Sequence, residues 1–187
     1  MLAVEADGFA KTALGDATAG LSLDAARRAL LRIAALSMLI DDPDAAPYGW
    51  THALTMPLSV LATARHAADR TAAIRIAATY VLGFRATMGR VRLDPDWRPE
   101  YRRSAALWHT SPAEAAATAY HWPIEDRARL KSVLATRAAI HEDAHLAKYT
   151  LAAFDAAGAD PQEAALYLAA AAFLGAWWDA HPGARFE

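Results

Sequence analysis

Thirteen consecutive residues near the C-terminus, "LYLAAAAFLGAWW" (166–178), carry no charge and almost no polar atom. A membrane-spanning helix needs about 20 apolar residues, so this run is too short to cross a bilayer and reads as a helix buried in a protein core. A helix that is apolar on every side needs other helices around it, and the rest of the chain is patterned to provide them. "LSLDAARRALLRIAALSMLI" sets Leu30, Ile33, Ala34 and Ser37 at helical spacing behind a cap at Ser22, and stops at "DDPD". "WTHALTMPLSVLATARHA" is expected to be helical and bent or started near Pro57, and "RTAAIRIAATYVLGFRAT" follows with Gly89 as its stop. "GRVRLDPDWRPEYRR", broken by Pro95 and Pro99, is expected to be a loop feeding a short helix. Two further starts carry cap signals: "SPAE", with Ser111, Pro112 and Glu114, and "DPQE", with Asp160, Pro161 and Glu163 in the same roles. Between them the longest pattern predicts one helix over 124–157, ended by Gly158. No β-branched alternating run or Asn-Gly hairpin signal appears, so the fold class expected is all-α. It should be one domain over 1–187, a compact bundle of about six to eight helices whose many alanines allow close approach.

Composition narrows the chemistry. With 187 residues the chain can bury a core without staples. A net charge of −2 gives no broad attraction to nucleic acid or to an anionic membrane, and neither is expected as a partner. There is no cysteine, so a metal would have to rest on nitrogen and oxygen ligands. Glu5 and Asp7 stand where a signal peptide would be basic, and a cytoplasmic location is expected.

The densest chemistry lies in "IHEDAHLAKYT" (140–150). On one continuous helix, at about 100° per residue, His141, His145, Lys148 and Ala152 share a narrow face that Leu134 and Leu130 continue. Val133, Ile140, Ala144, Ala147, Leu151 and Phe154 form a second stripe, expected to be core. Glu142 flanks the histidines, while Asp143 is expected to point away into solvent. "HEDAH" matches the zinc-protease signature H-E-x-x-H, in which two histidines bind metal and the glutamate acts on bound water. The glycine and third histidine of the extended motif are absent, and no edge strand is present to hold a peptide. Glu142 and His145 also form one E-x-x-H, but a two-iron site needs a second. A single metal on His141, Glu142 and His145 remains as an alternative. The plainest alternative is a hydrogen-bonded pair of surface histidines.

"HEDAHLAKYTLAAF" resembles a C-terminal region of the questin oxidase-like proteins, where a histidine followed by x-x-Lys comes after acidic residues on a helix. "YGWTHALTMPLSVLATA" resembles the segment of that family in which a histidine precedes x-x-Thr, matched here by His52 and Thr55. The resemblance spans about residues 48–178. Members of the family are usually more than twice this length, so the chain looks like a shortened relative or a separate subunit.

The resemblance implies an oxidoreductase of the monooxygenase kind, acting on an aromatic polyketide such as an anthraquinone by Baeyer–Villiger-type ring opening. Dioxygen and a reduced nicotinamide cofactor such as NADPH would be the co-substrates. No G-x-G-x-x-G lies between a strand and a helix, so a Rossmann-bound flavin or nicotinamide is not expected within the chain. A metal is not required, although it is not excluded. A neutral histidine can remove a phenol proton while an ammonium steadies the oxyanion. On this reading His145 is the base and Lys148 its electrostatic partner, with His52 and His141 orienting substrate or relaying protons. Thr55, Trp50 and Tyr149 would contact a small aromatic substrate. A non-catalytic helical protein that binds a small aromatic, or a subunit of a larger complex, is the third alternative.

Other features have plainer expectations. Ser59 and His66 read as a solvated face of the second helix. "WHT" and "YHWP" put His109 and His121 beside Trp108, Tyr120 and Trp122, an arrangement that walls a pocket or plugs a bundle end. Arg85, Arg90, Arg92, Arg98, Arg102 and Arg103 form a basic patch interrupted by Asp94, Asp96 and Glu100, and surface ion pairs are expected there. "DDPD" (41–44) reads as a helix stop rather than a calcium loop. "GAWWDAHPGARF" is expected to cover the core or to form a homodimer seam.

Overall fold

A computed structural model of the protein describes residues 22–41, 47–101 and 106–184. Its elements are α1 (Leu23–Ile40), α2 (Tyr48–Ala64), α3 (Arg70–Met88), α4 (Pro112–Tyr120), α5 (Arg127–Ile140), α6 (Ala144–Ala159) and α7 (Ala164–Ala180), with 3-10 turns at Ile124–Asp126 and Pro161–Glu163. The fold is all-α, with seven helices and no strand among the described residues. No described helix is long and apolar enough to cross a membrane.

The apolar run becomes the centre of the bundle. Every residue from 166 to 178 is buried in α7, which packs on α4, α6, α1 and α5. Close approach is visible at Gly175, where a Cβ would stand 2.7 Å from the Trp108 ring, so the indole comes this near to the helix only because that position is glycine. Trp177 and Trp178 are both buried, so this part of the expected aromatic cover lies on the core, while Arg185 and Phe186 fall outside the described residues. A smaller cluster of Ala26, Leu30, Leu61, Ile74, Ala77, Ala78 and Val81 joins α1, α2 and α3. Since α1 and α2 also contribute to the main cluster, they carry α3 on its flank.

Local signals explain most helix ends. Ser22 accepts the Ala25 N–H at 3.1 Å, and Ser111 with Glu114 forms a full capping box at the start of α4. Asp69 caps α3 through the Ala72 N–H, and Gly89 ends it. α2 starts at Tyr48, well before Pro57, and continues through that proline. No helix occurs between Gly89 and Ser111 among the described residues; Arg102 and Arg103 lie outside them, as do Asp42, Pro43 and Asp44 of "DDPD".

Three expectations need correcting. The long helix over 124–157 is two helices: His141 (φ −77°, ψ 140°) and Asp143 (φ −89°, ψ 117°) are extended, and Asp143 becomes the N-cap of α6. Short polar side chains that can take a backbone N–H compete with helix continuation, and two such residues meet here. The break resets the helical phase, so the stripe expected to be core comes apart. Ile140 is 74% exposed and Leu151 63% exposed, and Ala144 and Ala147 are exposed too. The core faces are instead Leu130, Leu134 and Ala138 on α5, and Leu146, Tyr149, Ala152, Ala153, Ala156 and Ala157 on α6.

"DPQE" does not repeat the roles of "SPAE". Pro161–Glu163 is a 3-10 turn, α7 begins at Ala164, and the Asp160 carboxylate makes no cap bond. It is buried and accepts Arg32 Nε at 2.5 Å, Arg32 Nη2 at 2.8 Å and the Tyr167 hydroxyl at 3.0 Å. A forked pair between two full charges outcompetes a single cap bond to an uncharged N–H. The basic patch also pairs differently. Arg85 binds Asp41, which additionally accepts the N–H groups of Arg90 and Val91, and Arg98 binds Glu163 at 2.6 Å. The acidic partners of Arg85 and Arg98 thus come from helix ends distant in sequence rather than from Asp94, Asp96 or Glu100.

Candidate functional site

α2 begins with Tyr48 and Thr51, and one turn inside it His52 falls back over Tyr48. Nδ1 of His52 lies 2.9 Å from the Tyr48 carbonyl, which can only accept, so Nδ1 carries the proton and the neutral ring keeps its lone pair on Nε2. The Tyr48 and His52 rings lie 4.2 Å apart between centroids. Opposite them, the turn before α6 delivers His145. Its ring centroid is 5.6 Å from that of His52 and 5.5 Å from that of Tyr48, and Phe84 of α3 stands 6.4 Å behind His52.

His145 is oriented by Asp143, the residue expected to face away. The same carboxylate oxygen accepts the backbone N–H of His145 at 2.7 Å and its Nδ1–H at 2.8 Å. Both side chains are mostly shielded, with His145 24% and Asp143 19% exposed. Because the carboxylate takes Nδ1–H, a neutral His145 also keeps its lone pair on Nε2. Two imidazoles with the same tautomer therefore face one another beside a tyrosine ring, and one of them is backed at Nδ1 by a carboxylate.

The remaining candidates divide around this pair. Lys148 follows one turn later on α6 and is exposed. Thr55 donates its hydroxyl to the Thr51 carbonyl at 3.0 Å, within its own helix. Trp50 is buried beneath the Arg85 guanidinium, 5.3 Å from its ring centroid. Tyr149 is wholly buried, its hydroxyl makes no hydrogen bond, and burial pushes its acidity well below that of an ordinary phenol. Trp50 and Tyr149 therefore act as core walls.

His141 separates from His145, contrary to the single line expected. Its ring leans on Trp178 at 5.2 Å and lines a cleft of about 370 Å³ with Arg137, Glu142, Asp179 and His181. The helix break removes the i, i+4 geometry that H-E-x-x-H requires, and no group of three or more His, Asp or Glu among the described residues is placed to hold a metal ion. His121 donates Nε2–H to the Pro99 carbonyl at 2.9 Å and sits between Tyr101 and Tyr120, while Ser59 and His66 are exposed.

A second carboxylate–imidazole pair, Asp179 with His109, holds a residue of positive φ (58°) at a bundle corner. Its imidazole is 90% exposed, in contrast to the shielded His145.

The contributions of Asp143 and Tyr48 were missed at the level of sequence. For Asp143 a usable signal existed: aspartate is a leading N-cap residue, and a histidine two positions later lies within reach of its carboxylate. For Tyr48 and Phe84 no local signal exists, because their role depends on how α2, α3 and α6 pack. No protein-family model, curated protein or solved structure matches this chain.

Proposed function

We propose that the chain is an oxygen-dependent oxidoreductase of the questin oxidase-like kind, acting on a phenolic aromatic compound through a histidine acid–base centre. The observation that supports this reading is the meeting of His52 and His145, one from each of the two segments that resemble that family, with ring centroids 5.6 Å apart.

His145 is the general base. The phenol proton passes to its Nε2, and the imidazolium formed is stabilised by Asp143 at Nδ1. His52 offers a second Nε2 lone pair, so it can take the proton on or return it. The Tyr48 ring supplies a flat face against which an aromatic ring can stack. Lys148, exposed one turn further along α6, meets an outer oxygen of the substrate and steadies its negative charge. The ionised ring is electron-rich and is the species that reacts with dioxygen.

Inserting one oxygen atom and reducing the other to water requires two electrons, which a reduced nicotinamide would supply. The described residues do not fit that cofactor: no strand is present for a dinucleotide-binding crossover, and Arg85 and Arg98 are already held by Asp41 and Glu163. The residues of this chain handle the proton.

Oxygen uptake with hydroxyanthraquinones and NADPH tests the proposal. Replacing His145 by Gln should lower kcat about 10²–10⁴-fold, the range for loss of a general base. Full turnover in H145Q and H52Q would remove the proposed centre, and binding without any oxygen uptake by the intact chain would leave a non-catalytic aromatic-binding protein.

A further inference from the structure

The turn that separates α5 from α6 contains a hydrogen bond that the proposed proton transfer does not use. Nδ1 of His141 accepts the backbone N–H of Asp143 at 3.0 Å. An amide nitrogen has one hydrogen and can only donate, so His141 Nδ1 must carry its lone pair, and the proton of the neutral ring lies on Nε2. His141 and His145 are therefore held in opposite tautomers by the same residue: Asp143 donates its N–H to one and accepts Nδ1–H from the other.

The bond from His141 has the i to i+2 form by which Asn and Asp side chains make turns with their own backbone. Its direction is fixed from behind by Trp178 of the central helix, against which the imidazole leans at 5.2 Å. A continuous set of contacts thus runs from the buried core through His141 and Asp143 to His145. Asp143 is gripped at both ends, at its amide by His141 and at its carboxylate by the backbone N–H and Nδ1 of His145.

We infer that His141 is a positioning residue, which acts through Nδ1 to set Asp143 and thereby the tautomer and orientation of His145, without touching substrate. This rests on the acid–base reading of His145 for its effect on turnover, but not for its effect on the tautomer. The two amide replacements of His141 separate the ring nitrogens: the side-chain oxygen of Asn lies close to where Nδ1 stands, whereas that of Gln extends to the position of Nε2.

The experiment is nitrogen-15 NMR of the histidine rings in the full chain at alkaline pH, where imidazoles are neutral, for the wild type, H141N, H141Q and H141A. It is combined with kcat and KM for each protein. In the wild type and in H141N, His145 should show the Nδ1–H tautomer. H141Q and H141A should lose it and lower kcat about 10–100-fold with KM little changed, the scale set by small misplacement of a reacting group.

Rescue by Asn but not by Gln establishes the action through Nδ1 and also controls for folding, since both variants carry a polar amide. Rescue by Gln alone, or an unchanged His145 tautomer in all three variants, overturns the inference. If the tautomer pattern follows this series while no variant and no wild-type chain turns over a phenol, the positioning role stands and the proposed reaction falls.

Discussion

Replacing Arg32 by Met removes the charged fork from Asp160 while keeping most of the apolar stem. Asp160 is 1% exposed and accepts two bonds from Arg32, at 2.5 and 2.8 Å, plus one from the Tyr167 hydroxyl at 3.0 Å. Removing one partner of a buried pair leaves an uncompensated charge, at a cost of about 3–5 kcal/mol when both groups are dry. Arg32 is 35% exposed, so water screens part of the attraction, and Tyr167 still holds the stranded carboxylate. The expected loss is therefore about 2–3 kcal/mol. Urea unfolding at neutral pH should show it as a lower midpoint with an unchanged slope. The double variant R32M/D160N, which removes the charge as well, should recover part of the loss.

The same pair predicts an acid dependence. The hydrogen bonds from Arg32 hold the Asp160 carboxyl below the usual carboxylate range; burial opposes them, and the Tyr167 hydroxyl adds to them. A carboxyl depressed in the folded state contributes stability that is fully present above its unfolded pKa of about 3.9 and is lost as pH falls through the folded value. Stability should thus decline as pH falls below about 4, and D160N should flatten that decline. An unfolding free energy for R32M within about 0.5 kcal/mol of the wild type would refute the argument, because that is the range of ordinary surface changes.

Two further changes probe the core. Gly175→Ala would set a methyl group 2.7 Å from the Trp108 ring, and should cost about 1–3 kcal/mol and alter tryptophan fluorescence; an unchanged melting temperature would mean that the indole does not lie on α7. Tyr149→Phe removes a buried hydroxyl without a hydrogen bond and should be neutral or stabilising by up to about 1 kcal/mol, so a clear loss of thermal stability would show that the hydroxyl is bonded in solution.

Sequence periodicity was a good guide where packing acts evenly along a helix. The uncharged run of α7, the cap at Ser22, the box at Ser111 and Glu114, and the stop at Gly89 all depend on residues within a few positions of one another. It failed at 141–143, because counting apolar spacing through a junction assumes that the phase continues, and two side chains that bind backbone N–H groups ended the helix there. Asp160 looked like a cap because its decisive partner, Arg32, is remote in the chain. The pairing of His52 with His145 could not be read from spacing at all; it was suggested only by the resemblance of two separate segments to one family, and it depends on how α2 packs against α6. Asp143 was dismissed for the same reason that the long helix was expected, since on an unbroken helix it would indeed have pointed away.

Whether His145, held by Asp143, ionises a bound phenol can be measured without a reductant. A hydroxyanthraquinone changes colour on losing its phenolic proton, so an anaerobic titration with the protein, below the pH at which the free compound ionises, reads proton transfer directly. The wild type should give the phenolate spectrum on binding, and H145Q and D143N the neutral spectrum. A neutral spectrum on the wild type, or a phenolate spectrum that persists in H145Q, would contradict it.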